Sequence, residues 1–175
     1  MFVGRKKELD ALNSRYTSNR KEFGVLYGRR RIGKSSILNE FLKGKNGILF
    51  QAKQDNSYGN LKSFSYEVDH LLDLPDTFVF ASWQHAFKSI QEYAKNERFV
   101  LVIDEYPYIV SQDSSFSSVL QEFIDHASDN MMVILSGSDI GFLQREIQNH
   151  ASPLYKRRTF EMEIKKMNFM DAKEF

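Results

Sequence analysis

The segment Gly28-Arg-Arg-Arg-Ile-Gly33-Lys34-Ser35 constrains this chain more than any other stretch. It follows the apolar run Phe23-Gly-Val-Leu-Tyr27 and precedes a predicted helix from Ser35 to Leu42. Strand, glycine-bounded loop and helix, in that order, build a cradle for phosphate. The two glycines let the backbone turn tightly with no Cβ in the way. Successive N–H groups then point inward, and the helix adds its unpaired N–H groups and positive end. In such a cradle Lys34 reaches the β- and γ-phosphates, and the Ser35 hydroxyl ligates Mg2+. The pattern predicts nucleoside triphosphate binding along Gly28, Arg29, Arg30, Arg31, Ile32, Gly33, Lys34, Ser35 and Ser36. Three readings stand for the side chains of Arg29, Arg30 and Arg31: solvated charge, contact with nucleic acid, or proximity to a neighbouring subunit.

Phe99-Val-Leu-Val-Ile-Asp104-Glu105 is the second signal. A buried strand delivers two carboxylates at its C-terminal end, the edge that faces the ligand crevice in an open α/β sheet. Asp104 is expected to hold the Mg2+ shell opposite the Ser35 hydroxyl. Glu105 is the candidate that orients or deprotonates an attacking water. Met131-Met-Val-Ile-Leu-Ser136-Gly137-Ser138 repeats the arrangement with small polar groups. Ser136 or Ser138 is suited to sense the γ-phosphate or position water. The competing reading is a serine cap on the next helix, beginning near Ser138 or Asp139. Both readings hold if the two serines divide the roles.

The remaining pattern is of alternating strands and helices. Helices are predicted over Glu8–Arg15, Ser35–Leu42, Tyr58–Leu72, Ser82–Ala94, Phe116–His126 and Ile140–Glu146, with Ser82 as a cap. Strands are predicted over Phe23–Tyr27, Ile48–Ala52, Phe99–Ile103, Met131–Leu135 and Thr159–Ile164. That alternation argues for a mainly parallel sheet covered on both faces. A length of 175 residues suits one domain. The formal charge of +1 calls for neither a nucleic-acid nor a membrane partner. The absence of cysteine excludes disulfides and cysteine-based zinc or redox chemistry. No apolar stretch is long enough to span a bilayer, and Met1-Phe-Val-Gly-Arg5 lacks the profile of a secretory leader, so the cytoplasm is the default. His70, His85, His126 and His150 form no compact metal motif. Trp83 and Phe87, four apart, are expected to share a core-facing helix side. The loop is not G-x-G-x-x-G, which disfavours a dinucleotide oxidoreductase, and Ser136-Gly-Ser138 is not a full nucleophile elbow.

Taken together, these segments resemble the P-loop ATPases with the AAA+ arrangement, and especially the branch often labelled archaeal ATPase. Phe2-Val-Gly4-Arg5-Lys-Lys-Glu8-Leu9 is similar to that branch's opening F-x-G-R-x-x-E-L. Gly28 to Ser35 resembles its Walker A loop. Phe99 to Glu105, continued by Tyr106-Pro107-Tyr108, resembles its Walker B run, and Leu135-Ser-Gly-Ser138 its sensor 1 strand end. Ser152-Pro-Leu-Tyr155-Lys156-Arg157-Arg158 is similar to its S-P-L-Y-G-R segment, with Lys156 where the glycine is expected.

The resemblance implies ATP and Mg2+ as ligands and a three-layer α/β fold whose five-stranded sheet has the order 5-1-4-3-2. It places Phe2 to Arg5, with Gly4 and Arg5, near the adenine or ribose, or else leaves them as a segment that only packs on the sheet. It makes Arg157 a candidate to complete a neighbouring subunit's site, with Arg158 beside it and a solvated basic loop as the plainer reading. Family members continue into a helical lid and often a winged-helix or nuclease-like region. Asn168 to Phe175 reads as a cap and the opening turn of a helix. Residues 1–175 are therefore expected to be an ATPase core from a longer protein, with a native short protein as the alternative. The functional expectation is Mg2+-dependent ATP hydrolysis at the β–γ bond by Lys34, Glu105, Ser136, Ser138 and Arg157, with Ser35 and Asp104 at the metal. The alternative is a slow-turnover, ATP-dependent interaction or DNA-associated switch. Self-association, and DNA association through regions outside this chain, are family-level expectations.

Overall fold

Residues 4–167 are described by the structure, a computed structural model. In chain order they form α1 (Lys6–Tyr16), β1 (Glu22–Tyr27), α2 (Lys34–Leu42), β2 (Gly47–Gln51), α3 (Ser57–Leu72), α4 (Trp83–Tyr93), β3 (Phe99–Asp104), α5 (Pro107–Gln112), α6 (Phe116–His126), β4 (Met131–Gly137), α7 (Ile140–Gln148) and β5 (Phe160–Glu163). Every residue of β1, β3 and β4 is buried. This is why those segments read as near-continuous apolar runs: strands covered on both faces have no polar side to alternate with.

The five strands lie in the order β2-β3-β4-β1-β5, and all four pairings are parallel. This is the expected order read from the other edge. Successive side chains of a strand point to opposite faces, and the core divides accordingly. Phe99, Leu101 and Ile103 of β3, with Met131, Val133 and Leu135 of β4, face a large cluster built by α3 to α7. Val100, Val102, Met132 and Ile134 face a smaller cluster with Leu12 of α1 and Ile37, Leu38 and Phe41 of α2. Helices therefore cover both faces.

The large cluster is aromatic at its centre. Phe64 is fully buried, with ring centroids 5.2 Å from both Phe50 and Trp83 and 6.1 Å from Phe87. Trp83 and Phe87 share the core face of α4 as expected, 5.9 Å apart. Truncating Phe64 to Ala leaves a void that close-packed rings fill poorly. It is expected to lower unfolding free energy by about 3–5 kcal/mol, read from the denaturant midpoint of the purified variant. An unchanged midpoint would refute the assignment of Phe64 to the centre of this core.

Caps set the helix ends near the site. Ser82 accepts from the His85 amide at 3.2 Å, as expected. Asp139, not a serine, caps α7 by accepting from the Phe142 amide at 2.9 Å. A carboxylate at that position satisfies the first-turn N–H and the helix's positive end together, which frees Ser136 and Ser138 for other contacts. The expected opening helix turn from Asn168 to Phe175, like Phe2 of the opening segment, lies outside the described residues.

Candidate functional site

Parallel strands deliver their C-terminal loops to one edge, and here the neighbours β3, β4 and β1 end side by side. That adjacency gathers Asp104 and Glu105, Ser136 and Ser138, and the Gly28–Ser35 loop, although they come from three distant parts of the sequence. The Ser35 hydroxyl donates to Asp104 Oδ2 at 2.6 Å. The Ser136 hydroxyl makes a short hydrogen bond to Asp104 Oδ1. Asp104 and Ser136 are fully buried. The Ser138 hydroxyl lies 3.4 and 3.3 Å from the two Glu105 carboxylate oxygens. The structure thus separates the two serines, one beside Asp104 and one beside Glu105.

The loop itself has the geometry its residues require. Gly33 has φ of 90°, in the left-handed region open to glycine, at the N-terminal position of α2, and no side chain caps that helix. Gly28 leaves no room for a side chain: a Cβ there would lie 2.4 Å from the Ile164 carbonyl oxygen. Lys34 is buried, and its ammonium donates to the carbonyls of Gly28 at 2.9 Å and Arg29 at 3.0 Å. Burial pushes the Lys34 pKa below the ordinary lysine value. The Glu105 and Asp104 carboxylates oppose that shift, and Arg30 reinforces it. Lys34 therefore sits between the loop backbone and both carboxylates, where it can exchange its carbonyl partners for phosphate oxygens.

Arg29, Arg30, Arg31 and Ser36 are exposed. Arg30 turns across the cleft mouth and donates to the Tyr108 hydroxyl at 2.7 Å. Arg31 holds a left-handed φ of 63° and Glu105 one of 54°. Such conformations cost a non-glycine residue about 1–2 kcal/mol, and strain of this kind tends to concentrate at functional sites. A cleft of about 480 Å3 runs over Arg31, Gly33, Ser35 and Ser36 to Glu105. On its other side a hollow of about 250 Å3 lies between Gly28, Ile32, Ile140 and Ile164. Arg5 braces that side. It is buried and donates to Glu8 at 2.9 Å, to the Lys165 carbonyl at 2.9 Å and to the Ile32 carbonyl at 2.9 Å. Gly4, with φ of 84°, permits the turn that delivers it.

The donor set suits Mg2+. A hydroxyl and a buried carboxylate are hard oxygen donors, and Mg2+ is commonly held by one or two such groups together with substrate phosphates. Among the described residues no three His, Cys, Asp or Glu side chains converge on a protein-only metal cage.

Arg157 stands elsewhere. It precedes β5, at the edge of the sheet opposite the phosphate loop: the neighbouring Thr159 amide pairs with the Phe23 carbonyl near the start of β1 at 2.7 Å. Its guanidinium makes a two-point contact with Asp125, Nε to Oδ1 at 2.8 Å and Nη2 to Oδ2 at 2.9 Å. That pairing holds the Asp125 carboxyl below the usual carboxylate range. Arg158 instead pairs with Glu161 at 3.0 Å. Lys156 has φ of 59°, which gives a physical reason for the glycine expected at this place.

No helix is expected over α5, and Tyr108 is expected only as part of the run that continues Asp104-Glu105, not at the cleft. The signal for α5 is Pro107, a residue favoured in the first turn of a helix. Gln51, which also lines the cleft, carried no signal. Among the described residues no helix is long and apolar enough to cross a membrane.

Other proteins resemble this chain in sequence and in fold. It is 29% identical over 177 residues to the uncharacterized protein MJECL04 of Methanocaldococcus jannaschii, a match covering all of this chain and 38% of that protein. A 45-residue stretch is 44% identical to the uncharacterized ATP-binding protein MJ0423 of the same organism, covering 26% of this chain and 76% of that one. The fold is similar to that of the Aeropyrum pernix Orc1 protein, solved in complex with DNA. The TM-score is 0.72 at 12% identity, over 99% of this chain and 48% of that one. It is also similar to the Aeropyrum pernix Orc2 protein, solved as ADPNP–ADP complexes, with a TM-score of 0.64 at 16% identity over 91% and 47% of the two chains. The chain thus spans about two fifths of the relative that it matches end to end and about half of these structures. The model of the ATPase domain predominantly from Archaea matches residues 2–175, and with a phosphate loop, paired carboxylates and this strand order in place, the chain belongs to that family of P-loop ATPase domains.

Proposed function

We propose that this domain binds ATP with Mg2+ and hydrolyses the β–γ phosphate bond. The observation that carries the reading is the 2.6 Å contact between Ser35 of the phosphate loop and Asp104 of the acidic strand end. It joins the two halves of a metal–phosphate site, with Lys34 between them and Glu105 at the cleft. Lys34 and the N–H groups at the start of α2 bind the β- and γ-phosphates. Ser35 and Asp104 hold Mg2+. When bound, the metal neutralises phosphate charge and orients the γ-phosphoryl group. Ser136 fixes the Asp104 carboxylate through its short hydrogen bond. Glu105 accepts a hydrogen bond from the attacking water and aligns it, and Ser138 holds the Glu105 carboxylate. The base and ribose lie in the hollow beside Gly28 and Ile32, next to the Gly4–Arg5 segment. Gly33, Arg29, Arg30, Arg31 and Ser36 complete the loop that wraps the phosphates.

Arg157 is too far along the fold to serve its own loop, so its proposed role is toward a second copy, once it leaves Asp125. DNA association is proposed at the level of the whole protein, on the likeness to a fold solved in complex with DNA. The domain is proposed to act with a lid and further regions.

The test is ATP binding and phosphate release, with and without Mg2+, for the 175-residue chain and for the product of its complete reading frame, over a range of protein concentrations and with DNA. Mg2+-dependent turnover that rises with concentration or DNA supports hydrolysis. Tight binding with negligible turnover under every condition supports a nucleotide-responsive switch instead. No binding by a folded chain would overturn both.

A further inference from the structure

We propose that Tyr106 is a positioning residue for Glu105, and that it acts by anchoring to Glu146 in the last part of α7. The inference rests on the reading of Glu105 as the carboxylate that orients water.

Glu105 needs holding. Its φ of 54° is a conformation that a side chain with a Cβ adopts only at a cost. On its N-terminal side, its own amide donates to Asp104 Oδ1 at 3.0 Å. The next residue, Tyr106, is the largest fully buried side chain among the described residues. Its amide donates to the Ser136 carbonyl at 3.1 Å. Its hydroxyl donates to Glu146 Oε2 at 2.8 Å and lies 2.7 Å from the Ser117 hydroxyl, which is itself 3.0 Å from Glu146 Oε2. The ring is wedged between Phe116 and Phe142, with centroids 6.0 and 6.2 Å away. Pro107 follows and starts α5.

A purely space-filling role would not call for the hydroxyl. Phenylalanine fills nearly the same volume, and a buried polar group is tolerated only when fully paired. Here the polar side chains of Tyr106, Ser117 of α6 and Glu146 of α7 close on one another, starting from the residue next to the strained Glu105. The loop that leads into α7 also meets Glu105, because Ser138, just before the Asp139 cap, lies beside the Glu105 carboxylate. The two ends of α7 thus lie next to the two groups that flank Glu105: Ser138 at its start, and Glu146, which holds Tyr106, in its last part.

The experiment compares Tyr106→Phe, Glu146→Ala and Glu146→Gln with wild type, each also in a Glu105→Gln background. Nucleotide affinity, kcat and the crystal structure of Tyr106→Phe are measured. Misplacing a reacting group by about 1 Å costs up to about 100-fold; Tyr106→Phe and Glu146→Ala are expected to lower kcat about tenfold, with affinity within about twofold. Glu146→Gln, whose amide oxygen still accepts from the phenol, is expected to retain kcat within about threefold. In the Glu105→Gln background the losses should vanish, because a residue acting only through Glu105 has nothing left to position. The proposal is overturned if Tyr106→Phe keeps wild-type kcat, or if it loses the same factor with and without Glu105. The structural readout does not depend on turnover. Glu105 leaving its place beside Ser138 in the Tyr106→Phe crystals supports the anchor, and an unchanged φ and Ser138 contact overturns it. A wild-type protein that binds but never hydrolyses ATP would instead count against the role of Glu105, with the anchor judged on the crystals alone.

Discussion

Replacing Lys34 with Ala is expected to weaken Mg2+·ATP binding by at least about 100-fold. The lysine is the one buried cation on the phosphate loop, and its ammonium already sits on the carbonyls of Gly28 and Arg29. Charge-assisted hydrogen bonds are worth about 1.5–3 kcal/mol each, and about 1.4 kcal/mol is a factor of ten in affinity. Losing two such bonds to phosphate therefore exceeds a factor of 100. Fold stability should change far less, because the same substitution relieves the desolvation that depresses the lysine pKa. Fluorescent-nucleotide titration and a thermal melt on the same sample separate the two effects. A Lys34→Ala protein that binds within about threefold of wild type would remove the loop from the nucleotide site.

The second large effect belongs to Glu105→Gln. The substitution keeps the size of the side chain and removes the carboxylate that accepts from water. General-base assistance typically contributes a factor of about 100 to 10,000. Turnover is expected to fall at least about 100-fold, with ATP affinity unchanged or tighter because one negative charge near the γ-phosphate is gone. Single-turnover phosphate release, started from a saturated complex, is the measurement to make. Unchanged hydrolysis with intact binding would exclude Glu105 as the group that orients water. The two substitutions therefore pull apart: one removes binding, and the other removes chemistry from a protein that still binds.

Much of the architecture follows from local pattern. β1, β3 and β4 are legible because burial on both faces leaves an unbroken apolar run, and α6 is legible because its apolar residues return at helical spacing. The phosphate loop is legible because glycine is nearly the sole residue that tolerates the conformation of Gly33 and the close approach at Gly28. The strand end Asp104-Glu105 stands out because two carboxylates after five apolar residues must come to the edge of a sheet. α5 was not anticipated. It is six residues long, shorter than the span over which a 3.6-residue period becomes visible.

The roles of the two serines lay beyond local pattern. Ser136 and Ser138 stand two positions apart on either side of Gly137, and both types of contact suit a hydroxyl. What separated them was register: β4 lies between β3 and β1, so Ser136 faces the buried Asp104 while Ser138 emerges beside Glu105. The cap of α7 fell to Asp139 for a related reason, since its carboxylate, rather than the hydroxyl of Ser138, meets the Phe142 amide. Arg157 shows the same limit from the other direction. A basic run beside Pro153-Leu-Tyr155 suggests function, but only the folded chain pairs it with Asp125 at the opposite edge of the sheet.

The sequence by itself determined the fold class, the strand-forming segments, the phosphate loop and the two carboxylates. Each of these depends on the conformational and solvation preferences of a few consecutive residues. Only the tertiary structure decided that Ser35 meets Asp104, that Arg30 reaches Tyr108, and that Tyr106 is tied to Glu146. Those contacts join residues 40 to 78 positions apart. They exist because strand order and helix packing bring distant segments together, and no local preference records that.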